Sequence, residues 1–383
     1  MDFLISKHRK AKLALAFDDV SLAPSASTVD PEDVDVSFAL KNRTFSIPII
    51  ASAMDSVVDP SVAALFTNAG SFGVLNLEGV WGRYENPQEK LSRIVQASDE
   101  EATPVLQDVY SAAPVKEELV VRSVREMKDA GAIAAVSLTP LGVKKFWAAA
   151  KEAGAEILVV QSTVTSPKHR SKSGEVLDIA ELCAGIDIPL IVGNCVGYEV
   201  AIELMRAGAD AILVGVGPGQ ACTTRDVTGV GVPQITATAE AADARDDYEK
   251  ESGRRVAVIT DGGMRTSGQV AKCLAAGADA VMFGSVFAGC PEAPAYPYHW
   301  GMAAPHAHLP RGTRVKAGGG IPLSQVLFGP ARVSDGTQNL IGGIKSSMGL
   351  AGAGNIREFH KTQLYVSFSF GSEGKTLQMK QRK

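Results

Sequence analysis

The residues best suited to chemistry sit in one stretch, Gly215-Val216-Gly217-Pro218-Gly219-Gln220-Ala221-Cys222-Thr223-Thr224-Arg225. Three glycines ahead of a cysteine make a loop whose backbone can press against a ligand or turn carbonyls toward a cation. A cysteine in such a loop is a candidate nucleophile where its surroundings favour the thiolate. The bland reading of any Cys is a buried packing residue. Cys183 and Cys273, set in helical stretches, read that way, while Cys195 and Cys290 fall near strand ends without the glycine-rich setting. Two further segments invite a ligand, Thr260-Asp261-Gly262-Gly263 and Phe283-Gly284-Ser285. Their glycines and Ser285 can offer backbone N–H groups to an anion. Asp261 can accept two hydrogen bonds from a diol such as ribose, or cap the helix that follows. Ser52, in Ala51-Ser52-Ala53-Met54-Asp55, and Asn194, in Gly193-Asn194-Cys195, are weaker signals because both residue types favour turns. His299, His306 and His308 resemble metal spacing only superficially, lacking partnered carboxylates. There is no P-loop, and Gly215-x-Gly217-x-Gly219 lacks the strand–helix context of a dinucleotide fingerprint.

What must position these residues is legible as an internal echo. A helix ends in Ala-Gly-Ala and a strand starts at once, at 130–132, 153–155, 207–209 and 276–278, with a looser copy at 68–70. Glycine there takes the left-handed position that closes a helix. The apolar, β-branched runs that follow read as strands buried on both faces. Adding SIPIIAS, PLIVGNC and VAVITDG gives eight strands, near 47–52, 72–76, 133–138, 156–161, 189–194, 211–216, 256–261 and 280–284. Eight such strands with intervening helices predict a (β/α)8 barrel in a single domain over 1–383. An open doubly wound sheet is the alternative, but it would gather ligand groups at one switch point, and here they follow strands from both halves of the chain. Residues 291–333 read as a loop segment over the active site, 335–352 as the last barrel helix, and 371–383 as a flexible tail.

Composition narrows the classes. Hydrophobic residues are 45% and charged residues 21%, enough for a large core and against disorder. A net charge of -4 argues against a nucleic-acid partner. No apolar run approaches a membrane span, so no membrane partner is expected. The five cysteines are widely spaced with no C-x-x-C, as in a cytoplasmic protein with reduced thiols.

The chain resembles the IMP dehydrogenase / GMP reductase family. GVGPGQACTTRDVTGVGVPQ, ITDGGMRTSGQVAKCLAAGADAVMFGS, ASAMDSV and GNCVGYEVAIELMRAGADAILVGVG carry the resemblance, which spans about 45 to 350. Most family dehydrogenases carry a CBS pair after the second strand. Here that place holds only Glu78–Lys128, as in a short CBS-less branch that shares HWGMAAP and LPRGTR. The resemblance implies that Cys222 attacks C2 of the purine with Thr224 beside the adduct. It puts carbonyls of Gly217, Gly219 and Cys222 on a potassium ion. Asp261 would hold the ribose, and Gly262, Gly263, Gly284 and Ser285 the phosphate. Ser52, Met54, Gly301 and Met302 would line the nucleotide, and Asn194 with Gln161, Ser162 and Thr163 the nicotinamide of NAD. It also implies a homotetramer or octamer.

The chain departs from the family in places. Gln220 stands where the family has a phosphate-binding Ser, and His299 where it has a Tyr, so His299 is expected on the phosphate. Only Ala303–Leu309 remain of the mobile flap, and Arg311 falls where the family carries Glu or Gln. A reductase needs a carboxylate beside Thr224 to protonate leaving ammonia, and Arg311 cannot supply it. Dehydrogenation needs a base for water, for which Arg311, Arg314 or a relay through Thr224 are candidates. The expected activity is therefore oxidation of IMP to XMP with NAD, in guanine nucleotide synthesis. GMP reductase with NADPH is the runner-up, followed by a non-catalytic nucleotide-binding regulator and a flavin-dependent barrel enzyme.

Overall fold

Eight parallel strands close around a core of aliphatic side chains. In this computed structural model, residues 2–172, 176–301 and 313–367 are described. The barrel strands are β1 (Ile49–Ala51), β2 (Val74–Asn76), β3 (Ala135–Leu138), β4 (Ile157–Gln161), β5 (Leu190–Cys195), β6 (Ala211–Val214), β7 (Ala257–Asp261) and β8 (Ala280–Phe283). Each pairs in parallel with its neighbour and β8 returns to β1. The seam between β1 and β2 is closed by a single bridge, Ala51 to Gly73, with Ala51 N–H donating to Phe72 O at 3.2 Å. Every expected strand is present, each trimmed by a residue or more at one end or both.

The glycine-closed helices explain the echo. Gly70, Gly131, Gly154, Gly208 and Gly277 all have positive φ, from 78° to 111°. A side chain there would be strained, whereas glycine ends the helix and turns the chain into the next strand. The helices that precede them are α1 (Pro60–Asn68), α4 (Glu117–Asp129), α5 (Pro140–Glu152), α7 (Tyr198–Arg206) and α10 (Ser267–Ala275). Between β4 and β5 lies the short α6 (Ile179–Gly185), after β6 come α8 (Thr224–Thr228) and the long α9 (Gln234–Ser252), and α12 (Leu340–Leu350) closes the barrel wall.

The segment between β2 and α4 folds into two more helices, α2 (Pro87–Gln96) and α3 (Ala102–Ser111). The expected loop 291–333 holds more order than foreseen. Tyr298–His299 pairs with Val315–Lys316, and α11 (Leu323–Phe328) follows. The tail 371–383 lies outside the described residues.

Candidate active site

A cleft of about 330 Å³ opens at the carboxyl ends of the strands. It is lined by Cys222, Thr224, Ser52, Met54, Asp261, Gly262, Gly263, Gly284, Ser285, His299, Gly301, Gln161, Ser162, Thr163, Asn194, Gly217 and Gly219. The expected site residues thus converge from six strand ends and the strand Tyr298–His299. Met302 and Arg311 lie outside the described residues.

Cys222 ends the glycine-rich loop, one residue before the N-cap of α8. Its Sγ lies 3.2 Å from Thr224 Oγ1 and its N–H donates to Gly219 O at 3.0 Å. Arg225 fastens the loop from behind, Nε to Val216 O at 3.0 Å and Nη2 to Val232 O at 2.6 Å. Gly217, at φ +72°, leaves room for that arginine, since a Cβ would come within 2.6 Å of its Cγ. Gln234 joins the ends of β6 and β7, donating to Val214 O at 2.8 Å and Asp261 O at 2.9 Å. The other cysteines are packing residues. Burial pushes the thiols of Cys183 to about 11 and of Cys195 and Cys290 to about 12, and raises that of Cys273 as well. None of the four lines the cleft.

Asp261 ends β7 and accepts hydrogen bonds from Asn194 Nδ2 at 2.7 Å and Gln161 Nε2 at 3.3 Å. Gln161 also donates to Asn194 Oδ1 at 3.0 Å. Helix α10 takes its cap from Thr266 instead, which settles the second reading of Asp261. Burial pushes the Asp261 carboxyl up to about 6, opposed by hydrogen bonds from Asn194 and Ser52. The groups expected on the ribose and on the nicotinamide thus share one hydrogen-bonded bridge across β4, β5 and β7. Gln161 Oε1 is buried and unpartnered, an acceptor that a ligand donor would satisfy.

The glycine turns are suited to an anion, with one correction. Gly262 N–H is committed to Met282 O at 2.8 Å, so it cannot also serve a phosphate. Among the described residues the N–H groups of Gly263, Gly284 and Ser285 have no hydrogen-bond partner. Gly284 also lets Met54 approach, since a Cβ would meet its Sδ at 2.4 Å. His299 is buried at 1% exposure, and neither ring nitrogen has a partner among the described residues. Burial pushes its pKa down to about 4, so the ring is neutral near pH 7.

The strand bearing His299 is anchored by residues the sequence reading passed over. Trp300 Nε1 donates to Tyr110 Oη at 2.9 Å, and Tyr110 donates to Asp55 Oδ2, which also accepts Val80 N–H at 2.9 Å. Thr139, at the end of β3, lines the cleft and is held by Glu78. Its position at a strand end was the available signal. Arg314 is not free to act as a base. Its guanidinium donates to Ile94 O, Val95 O and Ala97 O at the end of α2, pairs with Asp99 at 2.6 Å, and stacks on Tyr298.

Residues 14–374 match the model of the IMP dehydrogenase / GMP reductase domain. An uncharacterised oxidoreductase of Mycobacterium tuberculosis is 36% identical over 94% of this chain and 99% of its own length. The inosine-5'-monophosphate dehydrogenase of Methanocaldococcus jannaschii is 30% identical, with 94% of each chain covered. A crystal structure of an IMP dehydrogenase/GMP reductase-like protein from Corynebacterium glutamicum superposes with a TM-score of 0.90 at 33% identity, covering 96% of this chain and 98% of that one. Barrel, cysteine loop and match over nearly the whole length agree, and the chain belongs to the IMP dehydrogenase / GMP reductase family.

Proposed function

We propose that the protein oxidises IMP to XMP with NAD. The observation that carries this reading is Cys222. It is the one cysteine in the cleft, set beside Thr224 on the loop that follows β6 and packs through Pro218 on the glycines after Asp261. The Cys222 thiol adds across the C2–N3 double bond of the purine, sulfur to C2 and proton to N3; C2 then gives its hydride to the nicotinamide ring and N3 its proton to solvent, which restores the double bond. Water then cleaves the resulting thioimidate, releasing XMP and restoring the thiol. Asp261 accepts from the ribose hydroxyls, the N–H groups of Gly263, Gly284 and Ser285 take the phosphate, and Gln161 Oε1 accepts from the second substrate. Carbonyls of Gly217, Gly219 and Cys222 would hold a potassium ion, which takes neutral oxygens of this kind and would stiffen the loop.

GMP reduction is the second reading. It requires a carboxylate to protonate ammonia leaving C2. Among the described residues the hydrogen bonds of Thr224 run instead to Cys222 and Thr228. Incubation with IMP plus NAD, and separately with GMP plus NADPH, decides between the two. Turnover in the first alone is expected, and turnover in the second alone reverses the assignment.

A further inference from the structure

The N-terminal residues take no part in the cleft and stand off the barrel. Asp2–Ser6 pairs antiparallel with Arg9–Lys12, and the two strands form a sheet of their own. Among the described residues, the hydrogen bond from this hairpin to the body is Lys12 Nζ to Glu240 Oε1 of α9, at 3.4 Å. Phe3, Leu4 and Ile5 are 46%, 73% and 67% exposed, and the hairpin gives no residue to the hydrophobic core. An isolated two-stranded hairpin is marginal in water, and three adjacent large apolar side chains favour burial. Its two outer edges differ. Arg9, Lys10 and Lys12 guard one, as lysines do on natural edge strands. The other, along Asp2–Ser6, carries Phe3, Leu4 and Ile5 with no basic residue and is open to a further strand.

Charge and position say what fills it. Residues 2–12 hold Lys7, Arg9, Lys10 and Lys12 against Asp2, a net +3 within a chain of net -4, so the remainder carries -7. The acidic surface that the hairpin's root touches is α9, where Glu240, Asp243 and Asp247 share one side within two turns. Asp243 is exposed and has no ion pair among the described residues. Burial, and then the like charges of Asp246, Asp247 and Glu240, push its carboxyl up. The chain leaving the hairpin is fixed to the same helix, Leu15 N–H donating to Thr236 Oγ1 at 2.7 Å. An arm that starts at α9 and ends on α9 of another copy closes about a two-fold axis, each copy giving the contact it receives.

We propose that the hairpin of residues 2–12 is an arm exchanged between two copies of this chain. The arms cross antiparallel, with the two Asp2–Ser6 edges side by side and Phe3, Leu4 and Ile5 withdrawn from water. Each basic strand, with Lys7, then meets the acidic side of the other copy's α9. In the resulting four-stranded sheet the basic strands lie outermost, three strand spacings or about 14 Å apart. That exceeds the screening length of about 8 Å at physiological salt, so their mutual repulsion is weak.

Sedimentation equilibrium of the full-length protein, beside a chain lacking residues 2–12, reads the association. We expect the parent to assemble in even numbers of chains and the shortened chain to form particles of half that mass at equal concentration. Leu4→Glu alters a side chain that is exposed in the single chain and leaves the barrel folded. It should weaken the association at least tenfold, and added salt should weaken the parent's. Hydrogen exchange gives a check that needs no variant, since the amides of Phe3–Ile5 should be slow in the assembled protein and fast on dilution. Equal masses for the parent and the shortened chain overturn the proposal. So does fast exchange at Phe3–Ile5 in the assembled protein, which assigns the open edge to a partner of another sequence. Neither result touches the nucleotide reading above.

Discussion

Asp261 shows how the site costs the fold stability. Its carboxyl titrates near 6 in the folded chain, against an ordinary value of 3.8. A folded-state pKa above the unfolded one means stability is greatest below about 4 and declines as pH rises through 6. The difference corresponds to about 3 kcal/mol. Asp261→Asn keeps an oxygen for Asn194 but sheds the charge. The variant should be more stable than the parent by about 1–3 kcal/mol at pH 8 and equal to it at pH 4, while nucleotide affinity falls. Urea unfolding at the two pH values checks it, and equal stability at pH 8 would contradict it. Cys222 and Asp261 were legible because each is a reactive type beside glycines at a strand end. His299 was legible as a residue, but its isolation was not. Whether an imidazole finds a partner depends on tertiary packing, which spacing along the chain does not encode.

At the scale of elements, the segment between β2 and α4 does more than fill a gap. Helix α3 delivers Tyr110, which ties the β1 loop through Asp55 to the strand of His299 through Trp300. Burial pushes the Asp55 carboxyl to about 6 against the hydrogen bond from Tyr110. Tyr110→Phe removes the donor to Asp55 and the acceptor for Trp300. We expect a loss of about 1–3 kcal/mol on unfolding, as for a buried polar group left unpaired, with KM for the nucleotide raised more than kcat is lowered. Denaturant titration and steady-state kinetics measure both, and an unchanged KM would separate α3 from the site. Five of the eight strands were readable because the buried run follows a glycine-closed helix, and β1, β5 and β7 were readable from their apolar runs alone. Helix α2 carried a signal that length arithmetic overlooked: Asn86 caps it, accepting from Glu89 N–H, and Pro87 follows. The pairing of Val20–Leu22 with Leu364–Val366 was beyond reach, because strands that far apart in sequence leave no shared local pattern.

Across the whole molecule, chemistry and stability occupy opposite ends of the barrel, as expected for this architecture. Asp279, just before β8, is buried beneath the strands. It pairs with Arg245 at 3.0 Å and Arg255 at 2.9 Å and accepts Val258 N–H at 2.9 Å. Burial alone would raise its carboxyl, but the two arginines outweigh burial and hold it below the usual range. Stability from this cluster is therefore present at neutral pH and lost as acid protonates Asp279. Asp279→Ala takes from the fully buried Arg245 one of its two carboxylate partners, leaving Asp246 at 2.8 Å, and removes the acceptor of Val258 N–H; it should cost about 1–3 kcal/mol, without affecting nucleotide binding in the protein that remains folded. Thermal unfolding and calorimetry check the two halves of that statement.

The account as a whole stands on a bond between Cys222 and the purine. Its most direct test is to quench the protein in acid during turnover with IMP and NAD and to weigh its peptides. The account predicts that the peptide containing Cys222, and no other cysteine peptide, gains the mass of the bound nucleotide. Product forming while Cys222 stays unmodified at every quench time would contradict it.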